Sequence, residues 1–479
     1  MSASAKALAF RRLTHRALSI GAIKASDKAM QFLLPVVLVR CLDTATFGEY
    51  RLLWLLVGTV MTVATLNMAS GLALFTPHCE TERKRLYVHQ TILFLAASGV
   101  LFAALVGPWN AYFPAAVAPL QKHGALVPAF VGLWIVASML DSLPTVDERI
   151  RWQAYATVGT SLLRTVLVGA GAWASGDLTV IFWLLLAVVL IKLVLLVAYV
   201  RRYHGMGAPW FERRTFADQF RRLAPFGLAG ALYALRSQAD QWVAATLFAI
   251  HSFAAFSVAA VLYPLVSVFR RSVVEAFIPN MSRLQAAGDV RGMLEMNSRG
   301  NVLVGTLLYP LLAFVFVFAN ELVTVVYTAA YLEAAPVMRV YIVGLAVMVL
   351  EITSVMLLLH QGSFALGINA FALTVSVLTS WTLGSALGLA GAAGGSVLAI
   401  CLERTFTLRR IAARAGVPVR ELQDWRGLAI ALGYGAASAV LLRIGVDLFV
   451  EGGALLRLAA GGCGLALFYV PILLRWRTR

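Results

Sequence analysis

Charge is what this chain has least of. Only 13% of its 479 residues are Asp, Glu, Lys or Arg, about half the usual share for a soluble domain. That deficit excludes an ordinary hydrated surface. Acids are scarcer still, 23 Asp and Glu against 40 Lys and Arg, so a carboxylate-rich cation site is not the expected theme. The four cysteines, Cys41, Cys79, Cys401 and Cys463, lie in or beside separate apolar runs. No CxxC pair or zinc-ligand spacing joins them, so neither a disulfide framework nor a structural metal is expected. HExxH, GxSxG and GxxxxGK[ST] are all missing, and with them the common protease, esterase and nucleotide-hydrolase signatures. Large water-exposed loops are missing too, so no soluble active site has room to form. The basic N-terminus (Lys6, Arg11, Arg12, Arg16) lacks a short apolar core with a small-residue cleavage site, so no cleaved signal peptide is expected.

What the chain has is apolar length. It is 60% hydrophobic, with a mean hydropathy of +0.82. In hydrocarbon every backbone N–H and C=O must pair internally, which leaves helices or a closed barrel. The runs are about 20 residues long, as a membrane helix needs, and do not alternate as barrel strands do. The fold class is therefore all-α, a polytopic membrane protein.

Spans are expected near 17–41, 50–75, 87–108, 125–141, 152–174, 178–200, 223–249, 253–278, 301–327, 337–359, 363–386, 389–408, 427–447 and 453–474, about 14 transmembrane helices. The even connections are basic: Arg83 to Arg85, Arg149 with Arg151, the Arg pairs of 201–222, Arg283 to Arg299, and Arg409 to Arg426. The odd ones are nearly free of Lys and Arg, Lys122 being the clear exception. This alternation places both termini in the cytoplasm. It also accounts for the formal charge of +17 without nucleic acid as a partner.

The long basic connection divides the chain into 1–200, the connection 201–222, 223–408 and a C-terminal pair of helices over 409–479. The reading is two six-helix bundles plus two extra helices. Phe47-Gly48-Glu49-Tyr50 and Phe253-Ala254-Ala255-Phe256 hold similar places in the two halves, as a parallel repeat would require. Small residues in Gly391-Ala392-Ala393-Gly394-Gly395 suit close helix packing better than a phosphate cradle.

Ionisable groups inside spans are costly in lipid and mark a polar interior. The first span carries Lys24, Asp27, Lys28 and Gln31, with Lys24, Lys28 and Gln31 on one face. The seventh carries Arg236 and Asp240, spaced i, i+4 and able to pair. The eighth ends with Arg270, Arg271 and Glu275, where the arginines can also reach the cytoplasmic surface. Arg164, Lys192, Glu351 and Arg443 sit singly in other spans, where a structural role is the simpler reading. The candidate substrate-binding set is Lys24, Lys28, Gln31, Arg236 and Arg270; the candidate charge partners or coupling groups are Asp27, Asp240 and Glu275. No metal ligand, catalytic residue or cofactor is expected. A cationic interior suits a phosphate or pyrophosphate. Pro35, Pro225 and Pro264 are expected to let their helices bend.

Leu38-Val39-Arg40-Cys41-Leu42 with Phe47-Gly48-Glu49-Tyr50 resembles the end of the first helix and the first outer turn of bacterial polysaccharide exporters. Phe277-Ile278-Pro279, Ser282-Arg283, Gly288-Asp289, Leu308-Tyr309-Pro310-Leu311 and Glu321-Leu322-Val323 resemble the same family, followed by Tyr327 to Tyr331, Ala335 and Arg339. This is the O-antigen and lipid-linked oligosaccharide flippase branch of the multidrug/oligosaccharidyl-lipid/polysaccharide exporter superfamily. One departure stands out: Thr328 and Ala329 occupy a place where the family often has Gly. The resemblance implies two bundles around a central cavity in the bacterial cytoplasmic (inner) membrane. It implies alternating access acting on undecaprenyl-pyrophosphate-linked oligosaccharide. Partners on that reading are the lipid-linked oligosaccharide, membrane lipids, and a polysaccharide polymerase or glycosyltransferase machinery. A lipid II-type or small-amphiphile exporter and, from a different class, an integral-membrane polymerase or ligase are the alternatives.

Overall fold

A computed structural model describes residues 26–76, 79–110, 115–207 and 209–477, without the side chains at 115, 264, 265, 268, 269, 271, 272, 274, 275 and 470–477. Among the described residues there are helices and turns and no strands. Among the described residues seven helical segments are long and apolar enough to cross a membrane, and three shorter apolar helices accompany them. Side chains such as Trp173, Val194, Leu441 and Phe449 lie exposed on helix surfaces, where hydrocarbon rather than water is their natural solvent.

The chain forms two compact units, Met1–Ala234 and Leu235–Arg479. In the first, α1 covers 26–41 and is followed by α2 (Thr44–Thr65), α3 (Met68–Gly71), α4 (Thr81–Val106), α5 (Ala118–Gln121), α6 (Leu126–Ala137), α7 (Leu143–Val146), α8 (Ile150–Ser175) and α9 (Leu178–Tyr203). α10 (Arg213–Leu247) runs across the unit boundary. The second unit continues with α11 (Ile250–Ala259), α12 (Leu262–Ala286), α13 (Val290–Val317), α14 (Ala319–Tyr327), α15 (Ala334–Met348), α16 (Thr353–Leu358), α17 (Gly362–Ala415), α18 (Trp425–Phe449) and α19 (Ala454–Arg477).

Short polar codes set these boundaries. Gly176 closes α8 at φ 63° and Asp177 at once caps α9 by accepting from Thr179 N at 2.8 Å. Asp43 caps α2 in the same way from Thr46 N, so the second helix begins at Thr44 rather than at 50. Asp289 and Asp424 cap α13 and α18. The paired aromatics behave alike in both units: Phe47 and Tyr50 on α2, and Phe253 and Phe256 on α11, are all buried.

Several spans are broken rather than continuous. α2 ends where Leu66 and Asn67 both take positive φ, 41° and 58°. α6 passes through a 3-10 turn, Ser138–Asp141, into α7. α15 and α16 are separated at 349–352, and α11 and α12 at 260–261, just before Pro264. Pro225 and Pro279 lie inside α10 and α12. α17 is two helical arms joined at Gly388, with φ 71° and ψ −153°. A side chain on Gly395 would place its Cβ 2.2 Å from Ser380 N on the other arm. That contact is why the segment is glycine-rich: the arms pack backbone to backbone. Thr328 holds φ 79° and ψ 162°, a conformation that glycine adopts freely and a β-branched residue does not.

Candidate functional site

In the first unit the polar end of α1 is wired as a chain. Lys28 Nζ donates to Gln31 Oε1 at 2.9 Å, and Gln31 Nε2 donates to Asp27 Oδ2 at 2.7 Å. Ser161 Oγ on α8 donates to Asp27 Oδ1. Lys28 and Gln31 are exposed on the helix surface, so a ligand can reach the ammonium. Asp27 therefore holds Lys28 through Gln31 and not by a direct pair. Lys24 lies outside the described residues.

Deeper in this unit, Arg164 on α8 is 8% exposed and its guanidinium carbon lies 5.3 Å from the Trp54 ring centroid. Lys192 on α9 is paired with Asp141 at 2.7 Å and lies 4.8 Å from the Trp134 centroid. The expected structural role suits Lys192, whose charge is matched.

Two charged clusters close the ends of the helices. Glu49 on α2 accepts from Lys122 Nζ at 2.6 Å, with His123 Nε2 at 3.5 Å. This pairing resolves the one basic exception among the odd connections: Lys122 is matched by a carboxylate in place. Burial pushes the His123 imidazolium down, the bond to Glu49 only partly offsetting it. At the other end Asp147 Oδ2 accepts from Tyr199 Oη at 2.7 Å and from His204 Nε2 at 2.7 Å, and Lys84 Nζ pairs with its Oδ1 at 2.8 Å. The connection after α9 folds back on α4. Trp210 stacks on His89 with centroids 4.2 Å apart, and buried Gln219 links Gln90 and Thr91.

In the second unit Arg236 on α10 reaches across to α17. Its Nη1 donates to Asn369 Oδ1 at 2.8 Å, and its Nη2 lies 3.4 Å from Glu403 Oε2. Arg404 lies 3.5 Å from the same Glu403 oxygen, so two guanidinium groups share one carboxylate. Asp240 is turned elsewhere: its Oδ2 accepts from the Tyr341 hydroxyl at 2.8 Å and its Oδ1 from Gln241 N at 2.8 Å. The i, i+4 pair expected between Arg236 and Asp240 does not form. A partner on a second packed helix binds in a drier seam than a partner on the same helix surface, and there a charge-assisted contact is stronger.

Arg270 does not reach for the membrane surface. Its Nη1 lies 2.5 Å from Glu351 Oε2, and the Arg270 side chain is only 12% exposed. Glu351 also carries the break between α15 and α16. Its Oε1 accepts from Thr353 N and Ser354 N, its carbonyl from Asn297 and Asn301, and its N–H donates to Asn301 Oδ1. A broken helix survives at membrane depth only when such partners replace the lost backbone bonds. The Glu275 side chain lies outside the described residues. A separate cavity of about 330 Å³ at the α13–α18 end is lined by Arg291 with Glu295, Glu421 and Asp424; its acid excess does not suit an anion.

Sequence reasoning missed Glu403, Arg404 and Asn369. Glu403 and Arg404 are adjacent charges inside the span expected at 389–408, and that was the available signal. Their link to Arg236 spans 167 positions, which no local pattern contains.

A family profile described as "Polysaccharide biosynthesis protein" matches residues 13–285. The chain belongs to the polysaccharide biosynthesis protein family. No curated protein sequence matches it. Among solved structures it is similar to "Lipid II flippase MurJ, inward closed conformation", with TM-score 0.66 and 12% identity over 96% of this chain and 99% of that one. It is similar to an inward-facing multidrug resistance MATE family transporter of the MOP superfamily, with TM-score 0.64 and 15% identity over 81% of this chain and 95% of that one. It is also similar to a point mutant of the Vibrio cholerae MATE transporter VcmN, with TM-score 0.53 and 13% identity over 84% of this chain and 96% of that one. At such identities the likeness is one of fold: this member of the polysaccharide biosynthesis family is a multi-pass membrane protein with the transporter architecture of those structures.

Proposed function

We propose that the chain carries an undecaprenyl-pyrophosphate-linked oligosaccharide across the bacterial cytoplasmic membrane by alternating access, with both termini cytoplasmic. Its role is envelope or exopolysaccharide assembly, in which a polymerase or glycosyltransferases act before and after it. Membership of the polysaccharide biosynthesis family carries this reading. Two cations support its chemistry: Lys28 is exposed on the first helix and held through Gln31, and Arg236 lies 3.4 Å from a Glu403 oxygen that Arg404 shares. Lys24, Lys28 and Gln31 on the first helix are assigned to the pyrophosphate, and Arg236 on α10 is assigned to it separately, within its own unit. Asp27 and Asp240 change partners as each unit moves, and Glu275 is assigned with them as a coupling group. Arg270 leaves the binding set because Glu351 engages it closely, at 2.5 Å, whereas Arg236 lies 3.4 Å from a Glu403 oxygen that it shares with Arg404.

Charge reversal tests the reading. Lys28→Glu and Arg236→Glu, with Arg236→Gln as the milder change that keeps a group able to bond Asn369, are expected to stop export at normal protein abundance. Lipid-linked intermediates then accumulate on the cytoplasmic side. Normal export by all well-expressed variants, Lys24→Glu included, refutes the cationic interior. Reporter fusions after Arg214 and Arg420 are expected to read cytoplasmic, and one near Lys122 periplasmic.

A further inference from the structure

The buried Lys and Arg side chains among the described residues are Arg164, Lys192 and Arg404. Lys192 lies 2.7 Å from Asp141 and Arg404 lies 3.5 Å from Glu403. Arg164 has no carboxylate. Its Nε is fully buried with no hydrogen-bond partner, and no acceptor among the described residues serves the rest of the guanidinium, which offers five N–H donors and stays charged. Asp27 of α1, which meets this helix at Ser161 one turn before Arg164, is already bonded to Ser161 and to Gln31. The Trp54 indole Nε1 is also buried and makes no well-aligned hydrogen bond, the Tyr50 hydroxyl being the polar group beside it. Trp54 packs edge-on to Trp134 at 5.4 Å and to Phe130 at 6.0 Å, so an aromatic wall shields these donors from water.

An isolated buried charge is among the most expensive things a fold can contain. The indole face offsets part of that cost through a cation–π contact, yet it accepts no N–H. What is lacking is an anionic acceptor with several oxygens. We propose that Arg164 and Trp54 form an oxyanion-binding site inside the first unit, taking a phosphate or pyrophosphate group. The planar guanidinium matches two phosphate oxygens at once, and the indole N–H supplies a further donor. That the group is the head of a prenyl carrier rests on the transport reading above; that an oxyanion binds at Arg164 does not.

Thermal melts of the purified full-length protein in detergent, in a phosphate-free HEPES buffer, test this. The probes are inorganic pyrophosphate, farnesyl pyrophosphate and, as the uncharged control, farnesol. The wild type is expected to gain a saturable rise in melting temperature with farnesyl pyrophosphate and none with farnesol. Arg164→Met is expected to weaken the half-saturation about ten- to a hundredfold, the loss of a charge-assisted contact, and Arg164→Lys to restore part of it. Arg164→Met without ligand is expected to melt no lower than the wild type, because an apolar side chain replaces an unpaired charge. Equal responses to both pyrophosphates assign the site to the free oxyanion. A response to farnesyl pyrophosphate alone assigns it to the carrier head. No response in the wild type, or an equal response in Arg164→Met, overturns the site. Should Arg164→Met not fold, an undiminished response in Arg164→Lys and Trp54→Leu overturns it instead. Export by the Lys28 and Arg236 variants is measured separately, so the transport reading and this site can fail independently.

Discussion

Replacing Asp147 by Asn removes one charge and little volume at the junction of α4, α7 and α9. Burial alone would raise this carboxyl, but donors on His204, Lys84 and Tyr199 more than reverse that and hold it at about 2 against an ordinary 3.8. Its side chain is 4% exposed, so solvent screening takes little away. The depression corresponds to about 2 kcal/mol of stability at neutral pH, at about 1.4 kcal/mol per pH unit. The sign follows from the depressed value: the contribution is complete well above 3.8 and disappears as pH falls through about 2. Asp147→Asn is therefore expected to melt a few degrees below the wild type at pH 7 in detergent. The gap is expected to shrink to about half by pH 3. Hydrogen exchange should quicken first around 199–204, where the bonds of Tyr199 and His204 to a charged oxygen become weaker bonds to a neutral amide. A variant that melts with the wild type at pH 7, or a gap unchanged at pH 3, refutes the assignment of this energy to the ionised carboxylate.

Glu351→Ala removes both the Arg270 partner and the cap of α16, and is expected to cost about 3 kcal/mol or more, read as lost abundance and a lower melting temperature. Thr328→Gly is expected to stabilise by about 1 kcal/mol, because relief of a strained φ outweighs glycine's added chain entropy; a lower melting temperature refutes the strain. Gly395→Val drives a side chain into the backbone of Ser380 and is expected to abolish accumulation of folded protein, checked by gel filtration of the tagged chain.

The candidate site was legible in part. Asp27, Lys28 and Gln31 are neighbours in sequence and neighbours in the relay, since a helix brings i, i+3 and i+4 together. Ser161, Asn369 and Glu403 come from other helices, and nothing in the local pattern reports them. The Arg236–Asp240 expectation failed for the same reason: spacing shows which groups can meet, while packing decides which partner is better.

The sequence by itself determined that the chain is helical and lies in a membrane, because a 60% apolar chain has no other way to satisfy its backbone. Its glycines and aspartates determined where helices stop and start, through conformations and caps that act within a few residues. Only the tertiary structure decided which charges are matched. It gave Lys122 to Glu49, Arg270 to Glu351 and Arg236 to Glu403, and left Arg164 with an aromatic face and no acid. Charge matching depends on distances between helices far apart in the chain, and those distances are set by packing, not by any local run of residues.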